Sequence, residues 1–434
     1  MISGVDELRE KYKIRLFDLR KILKPEYRMR SVKKNSWFRE AAERPIPSAR
    51  PHICMPTWRN FSGRPYRCGL YEAQDVLVEI DDVDLICLER DLTWGARVKS
   101  RLQRMAHHYD ESRMLIHASE GLKEIKLRRD YDLLIVIYNS FWDLHLINAI
   151  GQWKDYCKIS VCWIDELWAA SIPRYKRWLN ALNQFDYVFT GSKGSVSALS
   201  QVLDRPCHWL PLGIDALRFS PFPDPPARVI DVYSIGRRYD GVHREILKAA
   251  ERGKLFYVHD TIANTADVDI QDYQQHRNLL ASIAKRSRYF IVAPAKMDDI
   301  HETRGQVEIG ARYYEGAAAG TVMIGEAPDC EACKELFGWP EAIIQIEPDG
   351  SDIMNVLNEL DSDPKRMAEI RRRNTKEALL RHDWAYRWTE MFRVAGVELS
   401  PRMAARERRL KDVADFAASL DGRDSTKILG PVGS

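Results

Sequence analysis

The sequence predicts an α/β protein with two doubly wound parallel sheets that face a cleft. Near-continuous apolar runs of strand length alternate with helical patterns through most of the 434 residues. Such runs are typical of strands that are buried on both faces of a parallel sheet. The alternation stops at SPFPDPPAR (220–228), which has four prolines in nine residues, and then restarts. The chain is therefore predicted to form two α/β domains joined by a linker.

The composition excludes several other protein classes. Hydrophobic residues make up 45% and charged residues 30% of the chain, which is ordinary for a globular protein and excludes disordered and fibrous classes. The sequence contains no run of about 18 apolar residues, so no spanning helix is predicted. The first residues lack the apolar core of a signal peptide. Eight cysteines, most of them in apolar runs, do not form a disulfide framework. We expect a reducing, cytoplasmic environment.

Residues 1–50 are predicted to be a basic helical extension. They carry 14 Lys/Arg against 7 Asp/Glu, a net charge of +7, whereas the rest of the chain has −4. Apolar residues at helical spacing predict a helix over 5–24. Two interpretations remain open: a solvated amphipathic helix, or peripheral contact with an acidic partner or the inner face of a membrane. Zinc-finger spacing and basic strands with interleaved aromatics are missing, so we expect no nucleic-acid partner.

Residues 51–219 are predicted to form the first α/β domain and residues 220–380 the second. Apolar runs predict strands over 83–91, 114–121, 131–140, 159–168, 186–194, 229–238, 254–260, 288–295, 321–328 and 342–348. Helical spacing predicts helices over 95–109, 175–185, 195–204, 242–252, 273–287 and 311–320.

The C-terminal end of the chain is predicted to return to the first domain. Trp384, Trp388 and Phe392 recur every four residues within 381–400, so they form one apolar stripe. The second sheet is already covered by its own helices, which leaves the first domain as the partner of this crossing helix. Residues 401–434 are charged and then rich in Gly, Ser and Asp, so we expect a partly disordered tail.

The turn IGRRYDG (235–241) follows the first strand of the second domain. Gly236 allows a sharp turn of the backbone, and Arg237 and Arg238 then lie at the carboxyl end of the strand. Ligands of doubly wound sheets bind at these ends, and guanidinium groups pair strongly with phosphate oxygens. This turn is therefore a candidate phosphate site; a pair of surface arginines is the alternative.

The segment GARYYEGAAAGTVMIGE (310–326) predicts a helix that ends at Gly320 and leads into a buried strand. Glu315 lies among small residues, and burial of an unpaired carboxylate is costly. Two partners remain open: the hydroxyl pair of a ribose, or Arg312 one turn earlier.

Three motifs in this order resemble those of group-1 nucleotide-sugar glycosyltransferases of the GT-B fold. LPLGIDALRFSP (210–221) resembles their signature at the domain junction, VYSIGRR (232–238) their phosphate-arginine turn, and RYYEGAAAGTVMIG (312–325) their donor-site helix. The resemblance covers about residues 80–395. It implies two Rossmann-like domains, with a nucleotide-diphosphate sugar donor in the C-terminal one and a hydroxyl acceptor on the N-terminal one. It also implies transfer without a cofactor or a metal, because arginines and a helix N-terminus neutralise the leaving diphosphate.

By this resemblance Arg237 is the diphosphate arginine and Glu315 the ribose-binding glutamate. Gly310 is the glycine five residues before that glutamate, and Arg238 and Arg312 belong to the same donor-binding set.

The sequence departs from the family's pattern at two places. The family's first glutamate falls at Val307, with Glu308 one place later, and the lysine beyond the phosphate arginine is missing, with Arg244 as a candidate replacement. These departures fit a divergent branch resembling the spore-maturation-type glycosyltransferases. They leave open a non-catalytic GT-B-fold binding or assembly protein that uses its basic N-terminus.

The segment CWIDELWAAS (162–171) places Asp165 and Glu166 at the carboxyl end of a strand. Either is a candidate base, because transfer to a hydroxyl needs a base beside the acceptor unless the leaving phosphate takes the proton. Neighbours on a strand point to opposite faces, and the alternation does not decide between the two. We favour Glu166 for its longer side chain and the helix-forming stretch that follows. An ion pair with Arg174 or Lys176 is the structural alternative.

Polar and aromatic residues near the same strand ends are candidates for binding the acceptor: Asn139, Trp142, Asp143 and Trp168. Tryptophan faces pack against sugar rings or apolar groups, although core packing is the commoner role of this residue. The acceptor class stays open among a glycan, a lipid, a protein and a small molecule.

Two acidic motifs and one cysteine pair are weak candidates for metal sites. The Asp-Val-Asp motifs at 82–84 and 267–269 match the motif by which GT-A glycosyltransferases hold a metal-bound diphosphate, but three-residue patterns often arise by chance. Cys330 and Cys333 have the spacing of half a zinc site, and no second suitable pair exists. We therefore expect no metal.

Overall fold

The computed structural model describes residues 52–96, 98, 121–261 and 268–419. The extension 1–50, with its predicted helix over 5–24, lies outside the described residues. So do most of the predicted helix over 95–109 and of the predicted strand over 114–121, and residues 420–434.

The N-terminal half forms a parallel sheet of six strands in the spatial order β2-β1-β4-β6-β7-β8. These strands are β1 (Ile53–Thr57), β2 (Val83–Cys87), β4 (Tyr131–Tyr138), β6 (Cys157–Ile164), β7 (Tyr187–Thr190) and β8 (Cys207–Trp209), and a separate two-residue pair joins β3 (Ile125–Lys126) to β5 (Ile150–Gly151). The helices of this half are α1 (Cys68–Ile80), α2 (Lys176–Leu179), α3 (Val196–Ser200) and α4 (Ala216–Phe219).

The central strand β4 shows why this sheet is doubly covered. Its apolar residues alternate between two separate cores, with Leu134 and Val136 on one face and Leu133 and Ile135 on the other. A strand that is buried on both faces needs a continuous apolar run, and YDLLIVIY is such a run.

The C-terminal half repeats this plan with a parallel sheet of five strands in the order β10-β9-β11-β12-β13. These strands are β9 (Ile230–Ser234), β10 (Tyr257–His259), β11 (Ser287–Val292), β12 (Val322–Gly325) and β13 (Ile344–Gln345). Its helices are α5 (Asp240–Glu251), α6 (Tyr273–Lys285), α7 (Ile300–Thr303), α8 (Ala311–Ala318), α9 (Glu331–Leu336) and α10 (Ile353–Ser362). The prediction of an α/β protein with two doubly wound sheets is confirmed.

Three helices close the chain: α11 (Pro364–Arg381), α12 (Trp384–Ala395) and α13 (Pro401–Ser419). On α12, Trp384 and Trp388 are buried in the same core as Ile53 and Met55 of β1. The indole N–H of Trp388 also donates to the carbonyl of Ala73 on α1, at 3.2 Å. The apolar stripe of α12 therefore packs on the N-terminal half.

Within the predicted tail 401–434, residues Pro401–Ser419 form the 19-residue helix α13, which the sequence did not predict. The end of the tail, where disorder was expected, lies outside the described residues. Although α13 is rich in charged residues, it has a narrow apolar face, in which Met403, Leu410 and Ala414 are fully buried. Arg406, on the same helix, is also buried, and it pairs with Asp383 at 2.9 Å. Among the helices of the described residues, none is long and apolar enough to cross a bilayer.

Candidate donor and acceptor cleft

A cleft of about 510 Å³ is lined by residues from both halves of the chain. The N-terminal half contributes the segments that follow β4, β6, β7 and β8, and the C-terminal half contributes those that follow β9 and β11 and the start of α8. Nine predicted site residues line it: Asn139, Asp165, Glu166, Trp168, Gly236, Arg237, Arg238, Gly310 and Arg312. The carboxyl ends of the two sheets thus face one another, as the cleft of a doubly wound fold requires.

The Gly236 turn is fixed by Asp260, which follows β10. Gly236 has a positive φ of 79°, and its N–H donates to Oδ2 of Asp260 at 2.6 Å. Nη1 of Arg238 donates to the other carboxylate oxygen at 2.8 Å. Arg237 is half exposed instead, and its Nε pairs with Asp298 at 2.8 Å. Arg238 therefore holds the turn, and Arg237 is the more accessible cation.

The N-terminus of α8 opens on the same part of the cleft. Its N-cap residue is Gly310, so no side chain caps the first N–H groups of the helix. Arg312, in the first turn, lies over the Gly236 turn: a Cβ on Gly236 would lie 3.7 Å from Nε and Nη2 of Arg312. A helix N-terminus and two guanidinium groups at one place form an anion-binding arrangement.

Glu315 lies below this arrangement, 2% exposed. One of its carboxylate oxygens accepts a hydrogen bond from Arg277 and the other from Arg312. Burial raises its pKa, but Arg312 and Arg277 lower it more, so the pKa lies below its ordinary value. Nε of Arg277 also pairs with Glu72 of α1 at 2.8 Å. A buried chain of four charges thus runs from the N-terminal half to the cleft.

Asp165 and Glu166 both follow the end of β6, so they are not subject to the alternation of a strand. Among the described residues, nothing is hydrogen-bonded to or paired with the Asp165 carboxylate. Burial and the charge of Glu166 raise the pKa of Asp165 to about 8. Glu166 pairs with Lys296 across the cleft, not with Arg174 or Lys176, because the segment after β11 brings Lys296 to it.

The segment between β11 and α8 contacts the N-terminal half at further points. Oε1 of Gln306 accepts from the N–H of Ala169 at 2.8 Å. Oε1 of Glu308 accepts from the N–H of Gly194 at 3.0 Å, and burial raises the pKa of this carboxyl. Glu308 therefore lines the cleft and also joins its two sides.

Trp142 and Asp143 lie in a second cavity of about 340 Å³, near the ends of β1, β2 and β4. The carboxylate of Asp143 is bound by both terminal nitrogens of Arg67, at 2.7 and 2.9 Å, and it is buried. Trp142 is 41% exposed. Trp142 and Asp143 thus line a different cavity from Asn139 and Trp168, although the N–H of Asn139 donates to Oδ2 of Asp143 at 2.9 Å.

The weak metal candidates have other partners or lie partly outside the described residues. Asp84 accepts from the Tyr131 hydroxyl at 2.6 Å, and Asp267 is not described. Cys330 and Cys333 are free thiols at the start of α9. In the part of the chain that the structure describes, no three His, Cys, Asp or Glu side chains form a group that could hold a metal ion.

Three residues of the site were not identified from the sequence: Asp260, Arg277 and Lys296. The sequence did contain a local indication of Asp260 and Lys296. Asp260 is the last residue of one predicted strand and Lys296 follows another, and both strands lie next to the strand of the Gly236 turn. Arg277 had no such signal, since its partners are 205 and 38 residues away.

Residues 244–393 match the model of a family described as glycosyl transferase-like. This stretch contains α8 and the segment from β11 onwards, but it begins after the Gly236 turn. No curated protein matches the sequence.

Several solved structures are similar to the chain. HepE of Anabaena, solved with UDP-glucose, is 12% identical, with a TM-score of 0.45 over 79% of this chain and 99% of that one. An alpha-glucosyltransferase solved with UDP and a 13-mer DNA containing a HMU base is 13% identical, with a TM-score of 0.46 over 79% and 98%. An alpha,alpha-trehalose-phosphate synthase (UDP-forming) from Burkholderia vietnamiensis is 14% identical, with a TM-score of 0.39 over 82% and 81%.

The fold, the order of the three motifs and the family match point in the same direction. Residues 244–393 are similar to a glycosyl transferase-like family, and the two doubly wound sheets agree with the GT-B fold that the motifs imply.

Proposed function

We propose that the enzyme moves a sugar from a nucleotide-diphosphate sugar to a hydroxyl acceptor in the 510 Å³ cleft. One observation carries this proposal: an anion-binding arrangement on the C-terminal side lines the same cleft as an unpaired carboxylate on the N-terminal side. The first group is formed by Gly236, Arg237, Arg312 and the start of α8, and the second is Asp165.

The C-terminal group is suited to the leaving diphosphate. When the bond between the anomeric carbon and the phosphate oxygen breaks, negative charge develops on the diphosphate. Arg237, Arg312 and the N–H groups of α8 are placed to neutralise this charge, which supports transfer without a metal. Glu315 has both oxygens engaged by arginines, which favours a role in holding Arg312 over direct contact with a ribose.

Asp165 is suited to the acceptor. The acceptor hydroxyl oxygen forms a bond to the anomeric carbon as the bond to the diphosphate breaks, and its proton passes to the Asp165 carboxylate. A base works best when its pKa is close to the working pH, and the pKa of Asp165 is raised to about 8. The charge of Glu166 is already shared with Lys296, so we assign the base to Asp165 in place of Glu166. Asn139 and Trp168 line the cleft beside it.

Donor hydrolysis without an acceptor tests the activity and identifies the donor. Purified protein is incubated with UDP-, GDP- and ADP-sugars, with and without EDTA, and the released nucleoside diphosphate is measured. We expect slow hydrolysis of one donor that survives EDTA. Loss on chelation that manganese or magnesium restores would contradict transfer without a metal. Binding of a nucleotide sugar with no turnover would favour the non-catalytic alternative, which the missing first glutamate at Val307 supports.

The role of Asp165 is tested with the donor so identified and a panel of acceptors. The panel contains oligosaccharides, lipid-linked sugars, peptides and a DNA oligonucleotide, and we expect no transfer to the DNA. Asp165→Asn should lower turnover by about 10²–10⁴-fold, as for loss of a general base, with donor affinity unchanged. Glu166→Gln is the matched control and should retain more than about a tenth of the turnover. If both variants stay above that level, the leaving phosphate is the better candidate for the proton acceptor.

A further inference from the structure

Lys296 has an unusual backbone conformation at the edge of the cleft. Its φ is +48°, and the other non-glycine residues with positive φ in the described ranges are Gln152, Arg304 and Glu341. Of these four, Lys296 is the one that lines the cleft. Non-glycine residues rarely adopt this conformation, and strained residues of this kind cluster at functional sites. The backbone therefore points to a specific role for this side chain.

The ammonium of Lys296 is held by carboxylates from both sides of the cleft. Nζ pairs with Glu302 of α7 at 2.6 Å and with Glu166 of the N-terminal half. The Lys296 side chain is mostly buried, whereas that of Glu166 is 31% exposed. Glu166 also accepts a hydrogen bond from the indole N–H of Trp168 at 3.1 Å. Glu166 can therefore release the ammonium without becoming a buried, unpaired charge.

The cations around the proposed diphosphate position are otherwise committed to their own half of the chain. Arg238 is bound to Asp260, Arg312 to Glu315, and Arg237 to Asp298. Arg244, which the sequence suggested as a further cation, is exposed on α5 and does not line the cleft. Among the described cations that line the cleft, Lys296 is the one paired with the opposite half.

We propose that Lys296 is a diphosphate-binding residue, and that donor binding transfers its ammonium from the Glu166 carboxylate to the diphosphate. This inference rests on the proposed function, because it assumes a diphosphate donor at the Gly236 turn. It follows that Glu166 competes with the donor for Lys296. Removal of the lysine charge should weaken donor binding, and removal of the Glu166 charge should strengthen it.

Calorimetry on the full chain tests this inference. Wild-type protein is titrated with UDP, GDP and ADP, and the tightest of these is used with the variants, together with its parent nucleoside. Lys296→Met should weaken binding of the nucleoside diphosphate by about tenfold or more, the range for a bond to a charged group, and leave binding of the nucleoside unchanged. Lys296→Arg should stay within about threefold of wild type. Glu166→Gln should bind about three- to tenfold tighter, because the competing anion is gone.

Lys248→Met is the matched control, because Lys248 is exposed on α5 and pairs with Glu245 of the same helix. It should bind like wild type. A purely structural bridge between Lys296 and Glu166 predicts a different result, in which Lys296→Met and Glu166→Gln change binding in the same direction or not at all. That result overturns the inference and leaves the proposed function intact. If wild type binds none of the three nucleoside diphosphates, the proposed function fails, and the inference fails with it. If Lys296→Met does not fold, the tighter binding expected of Glu166→Gln decides alone.

Discussion

The two sheets have the same strand order. They differ in the residues that line the crevice at the point where this order reverses. In each, the second strand in chain order lies beside the first on one side and the later strands follow on the other, so the order reverses between β1 and β4 and between β9 and β11. Ligands of open α/β sheets bind at this reversal. In the C-terminal sheet the segments after β9 and β11 line the cleft. In the N-terminal sheet the residues around the reversal line mainly the second cavity, and the cleft is lined by Asn139 after β4 and by the segments after β6, β7 and β8.

The two crevices differ in whether their charged groups are paired with one another or are available to a ligand. The N-terminal crevice contains the ion pair of Arg67 and Asp143, whose charges satisfy one another. The C-terminal crevice contains a glycine turn, an uncapped helix start and the half-exposed Arg237, which leave donors for a ligand. The same topology thus gives a structural crevice in one sheet and a candidate donor site in the other, because the side chains after the strands differ.

The largest effect is expected in the N-terminal crevice. Arg67→Ala leaves the buried carboxylate of Asp143 without its bidentate partner, and loss of one partner of a buried pair costs about 3–5 kcal/mol. Urea unfolding measures this free energy. Arg67→Met with Asp143→Leu removes both charges and should recover most of the stability. A large loss of nucleoside diphosphate affinity in folded Arg67→Ala would contradict the assignment of this crevice to structure.

In the C-terminal crevice, by contrast, we expect a large effect on ligand binding and a small effect on stability. Arg237→Ala should lower nucleoside diphosphate affinity by about 1.5–3 kcal/mol, as for bonds to charged groups. Its stability should change by less than about 1 kcal/mol, because the pair with Asp298 is exposed. Arg393→Ala, on the exposed side of α12, is the control for both measurements. Unchanged affinity for UDP, GDP and ADP would exclude Arg237 from the phosphate site.

Glu315 is buried, and it also holds Arg312 at the candidate donor site. Its substitution should therefore affect both stability and ligand binding. Glu315→Gln should lower stability by about 2 kcal/mol at pH 7 and weaken nucleoside diphosphate binding, because Arg312 loses its anchor. The pKa of Glu315 is lowered in the folded protein, so this contribution is present above pH 4.5 and is lost as the pH falls below it. Unfolding at pH 7 and pH 3.5 checks the sign. A variant that melts earlier but binds normally would restrict Glu315 to a structural role.

The smallest effect is expected on the stability of the folded protein at Asp165, whose carboxylate has no partner among the described residues. Its pKa is raised from 3.8 to about 8 on folding, so the contribution of this group to stability is fully present below pH 3.8 and is lost as the pH rises through 8. Asp165→Asn removes that loss and should be more stable than wild type by about 1–2 kcal/mol at pH 9, and by less at pH 5. Thermal melts at both pH values test this, with Asp224→Asn in the exposed linker as control. A gain that does not depend on pH would contradict the raised pKa.

The sequence was sufficient for the features that depend on local patterns. The predicted strands that fall on described residues, the Gly236 turn and the helix at 311–320 follow from apolar runs and glycine positions, and the structure contains each of them. The sequence favoured Glu166, whereas the proposal of Asp165 depends on where β6 ends and on Lys296, 130 residues after Glu166. The burial of Glu315 between two arginines could not be foreseen for the same reason, since Arg277 lies on a different helix.

The return of α12 to the first sheet has a consequence for biosynthesis. The last strand of the N-terminal sheet ends at Trp209, and one face of this sheet is covered by α1 and, from Trp384 onwards, by α12. At 5–20 residues per second the ribosome needs about 10–35 s to make the intervening stretch. During that time the part of this apolar face that α12 covers in the folded protein is synthesised but stays exposed. The N-terminal half therefore completes its folding only when the chain is nearly finished, and we expect nascent chains to depend on chaperones over this interval.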